Sequence, residues 1–394
     1  MLESDLFFKA LNIENAKEIR AFSKASKISV KKLRYYNNNN LLPSGYDLDQ
    51  ICLIKDIKPL YLMLKMGILD RHTKSLLSNQ ADQIYGLIEK KKDGNPVMEP
   101  KIKEKHKTKF GKLYHGDCIE LMKSMESDTV DLIFADPPFN LNKLYPSKID
   151  DNLKEEKYLA WCEEWTKECI RILKPGGSFF IWSLPKWNTY LSEFLNNRLT
   201  FRHWISTDIK YSLPIKGRLY PSHYSLLYYC KGEKPNTFHP DRIPMAICPK
   251  CFGDLKDYGG YKNKMNPKGV NISDVWSDIP PVRHAVYKKR NGSNELSIKL
   301  LDRVLEMSSE KGDLVFDPFG GSGTTYVVAE MKKRNWIGVE LGPIEGIIKR
   351  LNNSDQELSH LERIREQLNC LFTEKSNKER KKKKIWTHES FIKK

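Results

Sequence analysis

Long apolar runs are missing from this 394-residue chain. None approaches the roughly 18–20 residues that a membrane-spanning helix needs. The N-terminal stretch MLESDLFFKALNIENAKEIR carries acids early and has no uninterrupted apolar segment, so no secretory leader is expected. Cysteine is scarce. Eight residues, mostly scattered singly, do not make a disulfide framework and fit a reducing cytoplasm. Acid is short relative to base: 50 Asp and Glu against 67 Lys and Arg leave a formal charge of +17 and a pI near 9.3. That surplus points to a polyanionic partner, nucleic acid or an anionic surface. What is present, 40% hydrophobic and 30% charged residues at a mean hydropathy of −0.58, is the composition of a globular protein with room for two or three domains. No internal repeat is evident.

The chain divides into four stretches. Residues 1–90 read as mostly helical, with apolar residues at helical spacing in Leu60, Leu62, Met63, Leu64 and Met66, then Leu76, Leu77, Ile84, Leu87 and Ile88. Residues 91–110 are Lys-rich with Gly94, Pro96 and Pro100, which predicts a solvated basic linker. Residues 111–350 alternate short β-branched or aromatic runs with helical patterns, which predicts an α/β sheet domain with flanking helices. Its strands are expected at Val130–Ala135, Ser178–Trp182, Ser225–Tyr229, Leu314–Phe316 and Trp336–Glu340. Residues 351–394 carry one amphipathic helix, about Gln356–Phe372, and a basic tail around Lys381–Lys384 that is expected to be mobile.

Two loops carry chemistry. The strand at Leu314 runs into Asp317-Pro318-Phe319-Gly320-Gly321-Ser322-Gly323-Thr324-Thr325 and then a helical pattern, the arrangement by which an α/β sheet brings backbone N–H groups against a ligand. A phosphate loop would need Lys where Thr324 stands, and a dinucleotide fingerprint would need Gly where Tyr326 stands. The next strand ends in Glu340, 23 positions after Asp317, a suitable spacing for a carboxylate that accepts the hydroxyls of an adenosine ribose. The second loop is Asp136-Pro137-Pro138-Phe139-Asn140, after the strand at Val130. Two prolines stiffen the chain and remove two donors, which fixes an acid on one side relative to an aromatic on the other. That suits a planar ring bearing an NH₂ group: Phe139 stacks on its face, while the Asp136 carboxylate and Pro137 carbonyl accept its amino hydrogens.

Asp136–Phe139 resembles the catalytic (D/N/S)PP(Y/F/W) motif of DNA amino-methyltransferases. Phe316–Thr325 resembles their S-adenosylmethionine loop, often written DPFxGSGTT. The catalytic motif comes first, with about 180 residues between the two, the order of the β class, in which target recognition lies between them. The resemblance covers roughly residues 110–350 and implies a Rossmann-like methyltransferase sheet with S-adenosylmethionine as cofactor. It implies contacts to that cofactor from Asp117, Cys118, Asp317, Phe319, Gly320, Gly321, Ser322, Gly323, Thr324 and Glu340, with Asp117 meeting the adenine. Leu173–Ser178 resembles the helix-to-strand turn that follows the catalytic strand. Many relatives carry HPxxKP upstream of the cofactor loop; here Asn294-Glu295-Leu296-Ser297-Ile298-Lys299 stands there, leaving Asn294 to supply the methionine-end contact. Asp at 136 favours adenine N6 as the acceptor by the same resemblance. Cytosine N4, RNA methylation and a DNA-binding regulator with an inactive methyltransferase domain are the competing readings.

Residues 185–290 fall where the family reads its target. They interleave basic and aromatic residues, with Arg202, Lys210, Lys216, Arg218 and Lys262 as expected contacts to double-stranded DNA. Cys248 and Cys251 form half of a zinc pattern with no second half at the usual spacing; Cys230 and His239 are the upstream residues able to complete it, and no metal is assigned. Phe22–Tyr36, then Leu41-Leu42-Pro43, resembles the helix-turn-helix start of MerR-type regulators, with a wing shortened to Ser44-Gly45-Tyr46. That resemblance implies a small winged helix-turn-helix-like domain in which Lys31, Lys32 and Arg34 meet phosphates; an accessory module for packing or dimerisation is the alternative. Further partners implied are a second copy of the chain and a cognate restriction endonuclease, in the cytoplasm of a prokaryote or its phage.

Overall fold

A computed structural model describes residues 6–38, 41–43, 46–68, 71–89, 102–141, 151–208, 216–217, 219–243, 245, 248, 250–251, 254–265, 269–279, 295–368, 378 and 381–382. The described residues fall into two compact units, Met1–Met98 with Lys154–Glu156, and Glu99–Leu153 with Lys157–Lys394.

The first unit is helical: α1 (Leu6–Ala10), α2 (Ala16–Ser26), α3 (Val30–Asn38), α4 (Tyr46–Lys55), α5 (Pro59–Lys65), α6 (Arg71–Asn79) and α7 (Ala81–Glu89). Asn15 caps α2 by accepting from the backbone N–H groups of Lys17 and Glu18, and Pro59 opens α5 where no intrahelical donor is required. Phe7, Phe8, Phe22, Leu33, Ile51 and Leu62 close a core of their own. Of the expected wing, Tyr46 begins α4 while Ser44 and Gly45 lie outside the described residues, and no strand occurs among the described residues of this unit.

The second unit contains β1 (Lys103–Lys107), β2 (Gly111–His115), α8 (Cys118–Ser124), β3 (Val130–Ala135), α9 (Glu155–Ile172), β4 (Leu173–Ser183), α10 (Pro185–Asn196), β5 (Thr200–Asp208), β6 (His223–Cys230), β7 (Arg242–Ile243), β8 (Val270–Asn271), β9 (Val275–Trp276), α11 (Ile298–Ser308), β10 (Leu314–Asp317), α12 (Thr324–Met331), β11 (Asn335–Glu340), α13 (Glu345–Leu351) and α14 (Ser354–Leu368). Nine strands form one mixed sheet in the order β1-β2-β11-β10-β3-β4-β6-β5-β9. Its centre, from β2 to β4, is parallel, as crossovers through α9 and α12 require. The central strands read as continuous apolar runs because both faces are covered. Leu132, Phe134 and Val315 lie in one buried cluster, and Ile133, Ala135 and Phe316 in the other.

Two expected boundaries change. Lys103–Lys107 falls inside the expected linker yet pairs antiparallel with β2; its lysines stay solvated because β1 is an edge strand, where such charges discourage further pairing. The region expected to read the target, 185–290, gives β5, β6 and β9 to the main sheet and carries α10 beside them, so only the segments outside those elements are separate from it. Of the basic tail, Lys381 and Lys382 are described and are helical, and Lys383 and Lys384 lie outside the described residues.

The topology fixes where a ligand belongs. The chain leaves β3 toward β4 on one side and leaves β10 toward β11 on the other, so β3 and β10 flank the point where strand order reverses. Their register pairs Val315 with Leu132 and Phe316 with Ile133, so both strands end at the same edge about 4.8 Å apart.

Candidate active site at the ends of β3 and β10

The Asp136–Asn140 loop follows β3 and is held by long-range contacts. Pro137 and Pro138 have no N–H to satisfy. The Pro138 carbonyl accepts from the Tyr158 hydroxyl at 2.7 Å, and the Phe139 carbonyl accepts from the Trp187 indole N–H at 2.7 Å. Asn140 adopts a left-handed conformation (φ 53°); its amide N–H and that of Leu141 donate to Asp151 at 2.7 and 3.0 Å, while its side chain exchanges two bonds with the backbone of Leu153. None of the described residues donates to the Pro137 carbonyl. Asp136 is half-buried, and the Phe139 ring lies 6.0 Å from Tyr224, which in turn lies 5.0 Å from Trp182. The result is an acid, a carbonyl and an aromatic face on a loop whose exit is locked.

The glycine loop leaves β10 next door. Gly320 donates to the Val339 carbonyl at 3.0 Å, and a Cβ there would come within 3.0 Å of Glu340, Val339 and Tyr326, so only glycine lets the loop lie so close to β11. Gly323 (φ +75°) caps α12, and a Cβ there would collide with Ile347 at 2.7 Å. Glu340 accepts from the N–H of Gly321 at 2.7 Å through one oxygen and from Gly342 at 2.6 Å through the other. Burial raises its pKa, opposed by those two donors. Each oxygen keeps a second lone pair, the acceptor set that two vicinal hydroxyls need. The loop glycines and Glu340 therefore fit the adenosine end of S-adenosylmethionine.

Other expected cofactor contacts are engaged within the protein. Asp317 is 3% exposed, and its carboxylate accepts from the Phe319 N–H at 2.9 Å and the Thr325 hydroxyl at 2.5 Å, which makes it a brace of the loop. Asp117 caps α8, accepting from Ile119 and Glu120, although Gly116 beside it donates to the Glu340 carbonyl and keeps this turn at the site. Cys118 is buried, which pushes its thiol pKa far up. Phe319 packs against Trp161 and Trp165, at 5.7 and 5.2 Å between ring centres. Ser322 and Thr324 face Arg350 on the underside of the loop. Asn294 lies outside the described residues.

Burial pushes the Asp317 carboxyl from an ordinary 3.8 up to about 7, against the bonds from Thr325 and Phe319 and with help from nearby Glu340. Folded Asp317 thus keeps a proton that the unfolded chain releases near pH 4. Its contribution to stability is complete below that value and is lost as pH rises through about 7. Asp317→Asn, permanently neutral, is expected to gain in Tm relative to the natural chain between pH 5 and pH 8. Parallel melting curves at the two pH values would contradict the assignment.

The expected DNA contacts are dispersed. Lys31 and Arg34 are exposed on α3, whereas Lys32 is tied to Asp47 at 2.6 Å, which also accepts from Tyr36 at 2.5 Å. Arg202 sits within β5, half-buried, its charge close to Tyr228 and Cys230 and its Nε buried without a hydrogen-bond partner among the described residues, so it belongs to the sheet rather than to an open surface. Lys262 pairs with Asp254, and Lys216 is exposed in a turn. Lys210 and Arg218 lie outside the described residues. Cys230 is buried in β6 and His239 pairs with Glu310 at 2.6 Å; no group of three or more His, Cys, Asp or Glu able to hold a metal ion occurs among the described residues.

Two features escape sequence reading, the Asp151, Tyr158 and Trp187 clamp and Arg350. Neither forms a local pattern. For Tyr158, Trp187 and Arg350 the signal is a polar or aromatic residue within a helix, and Asp151, in the irregular stretch before α9, carries none.

A parallel-centred sheet with two motif loops at its switch point defines a Rossmann-type nucleotide-binding enzyme. The family model of N6/N4 DNA methylases matches residues 130–348, and the chain belongs to that family, whose methyl donor is S-adenosylmethionine. It is 48% identical over 379 residues to the type II methyltransferase M.BamHI of Bacillus amyloliquefaciens, covering 95% of this chain and 89% of that protein. It is 32% identical over 247 residues to the DNA adenine methyltransferase YhdJ of Escherichia coli strain K12, covering 59% and 81%. Among solved structures, the cytosine-N4-specific PvuII DNA methyltransferase shares 22% identity at a TM-score of 0.44, over 65% of this chain and 93% of that one. No helix among the described residues is long and apolar enough to cross a membrane.

Proposed function

We propose that the chain is a type II modification methyltransferase that transfers a methyl group to the exocyclic amine of a base flipped out of double-stranded DNA. The observation that carries this reading is the adjacency of the two loops, far apart in sequence but leaving neighbouring parallel strands at one edge. S-adenosylmethionine supplies an electrophilic sulfonium methyl group. The glycine loop and Glu340 hold its adenosine end. Phe139 stacks on the extruded base, and Asp136 with the Pro137 carbonyl accepts its amino hydrogens. These bonds draw the nitrogen toward tetrahedral geometry and localise a lone pair that conjugation otherwise spreads into the ring. Transfer would then be direct, the S–CH₃ bond breaking as the N–CH₃ bond forms, with a neutral thioether leaving and the surplus amino hydrogen lost as a proton to solvent, helped by positioning and electrostatics. Inside a duplex the amine is out of reach, so extrusion precedes chemistry.

Asp136 favours adenine N6. Cytosine N4 is the second reading, because the Asp136 and Pro137 acceptors serve an NH₂–C=N edge that both bases present. Incubating the purified chain with methyl-labelled S-adenosylmethionine and, in parallel, mixed-sequence duplex DNA or RNA, then digesting to nucleosides, separates them. Label in N6-methyladenine supports the first reading and label in N4-methylcytosine the second. Label in neither, or in RNA alone, overturns the proposal.

The first unit is proposed as a helix-turn-helix accessory to DNA binding, supported by exposed Lys31 and Arg34 on α3. Replacing both by Ala in the full chain should weaken duplex binding and flatten the slope of log affinity against log salt by about two, roughly 0.9 for each phosphate no longer neutralised. An unchanged slope would leave the unit a packing or dimerisation module.

A further inference from the structure

Arg350 lies in α13 with its side chain 1% exposed, directly beneath the glycine loop. Nη1 donates to the Ser322 carbonyl at 3.1 Å and to the Thr324 hydroxyl oxygen at 2.7 Å. Nε and Nη2 face the two oxygens of Glu357 on α14 at 3.0 and 3.4 Å, and Nη2 also meets Glu295 at 3.1 Å. One buried cation thus joins the cofactor loop, the segment entering α11 and helix α14, and each side of its planar fork has an acceptor. A buried guanidinium is tolerated only when fully paired. Its pairing is complete only while the Ser322 carbonyl and Thr324 hydroxyl point down at it. Because Thr324 accepts from Arg350, its own hydrogen is left for Ser322 at 3.1 Å or the Leu296 carbonyl at 3.4 Å, again away from the upper face of the loop. The underside is therefore saturated by protein, and what the loop can offer a ligand is its backbone.

We propose that Arg350 is a positioning residue for S-adenosylmethionine: it pins the Ser322–Thr324 turn from below so that the loop is presented to the cofactor in one conformation, and through Glu357 it makes cofactor affinity depend on helix α14. The inference rests on the reading of the glycine loop as the cofactor site. Arg350 touches neither the cofactor nor the base. Its loss should therefore act on cofactor binding and leave the transfer step alone. Lysine carries the charge but cannot span the carbonyl, the hydroxyl and two carboxylates at once.

The test uses Arg350→Lys and Glu357→Gln in the full chain, with steady-state kinetics against each substrate and ligand-free melting curves. Arg350→Lys is expected to raise KM for S-adenosylmethionine at least tenfold, with kcat at saturating cofactor within threefold of the natural chain and KM for DNA unchanged. Glu357→Gln should move the same KM in the same direction by about threefold. A lowered Tm with KM for the cofactor within twofold would show a purely structural residue and overturn the proposal. Should Arg350→Lys not fold, a folded Glu357→Gln with unchanged KM overturns it equally. Glu340→Ala is the control for the underlying reading. If it raises KM while the Arg350 and Glu357 variants do not, only this inference fails; if it too leaves KM unchanged, the cofactor site itself is misassigned.

Discussion

Asp136→Ala should abolish methyl transfer while leaving S-adenosylmethionine binding close to that of the natural chain. Asp136 lies on the β3 loop, where it is proposed to address the base, whereas the proposed cofactor contacts lie on the glycine loop after β10 and at the end of β11. Removing the acceptor leaves the amine conjugated and unoriented, and the expected loss in kcat is about 10²–10⁴-fold, the range typical of a positioned acid–base group. Retention of more than about a tenth of the rate, a loss under ~1.4 kcal/mol, would contradict the role. Calorimetry with S-adenosylmethionine alone separates a damaged active site from a damaged fold.

Glu340→Ala should do the reverse. Its two oxygens already hold Gly321 and Gly342, so the substitution removes the acceptors for the ribose and also releases the glycine loop from the end of β11. Loss of a charge-assisted pair costs about 1.5–3 kcal/mol, roughly a 10- to 150-fold rise in the dissociation constant. Duplex affinity, measured without cofactor, should not change. Unaltered cofactor affinity would remove Glu340 from the site.

The two loops are legible in the sequence for physical reasons. Pro137-Pro138 and Gly320-Gly321-Ser322-Gly323 impose backbone conformations that other residues cannot, and each follows a strand whose apolar run is continuous because the sheet buries both faces. The strand ends at Ala135 and Glu340 can be read for the same reason. β5 is not legible. Thr200–Asp208 mixes exposed, half-buried and buried positions toward the far side of the sheet, and its Arg202 and His203 resemble a nucleic-acid surface when the partner strand is unknown. β1 is hidden by its lysines, which an edge strand tolerates and a linker equally contains.

The roles of acids are harder to read than their positions. Asp117, Asp317 and Glu340 all sit near the expected site, yet Asp117 caps a helix, Asp317 accepts from Phe319 and Thr325 within the loop, and Glu340 accepts from the Gly321 and Gly342 N–H groups. Only the donors around each carboxylate separate these cases, and several of those donors come from segments remote in sequence. Arg350 shows the same limit. A lone Arg in a short helix carries no pattern, and its meaning emerges only when Ser322, Thr324, Glu295 and Glu357 surround it.

Methyl transfer to an exocyclic amine in DNA is the activity proposed for the Asp136–Phe139 loop. It is tested most directly by sequencing DNA from a methylation-free host expressing the chain, with detection of modified bases at each position. One recurring short sequence modified at adenine N6 or cytosine N4 is expected, with unmodified DNA from a host expressing Asp136→Ala at equal level. Unmodified DNA from the natural chain, modification at cytosine C5, or the same pattern from Asp136→Ala would contradict it.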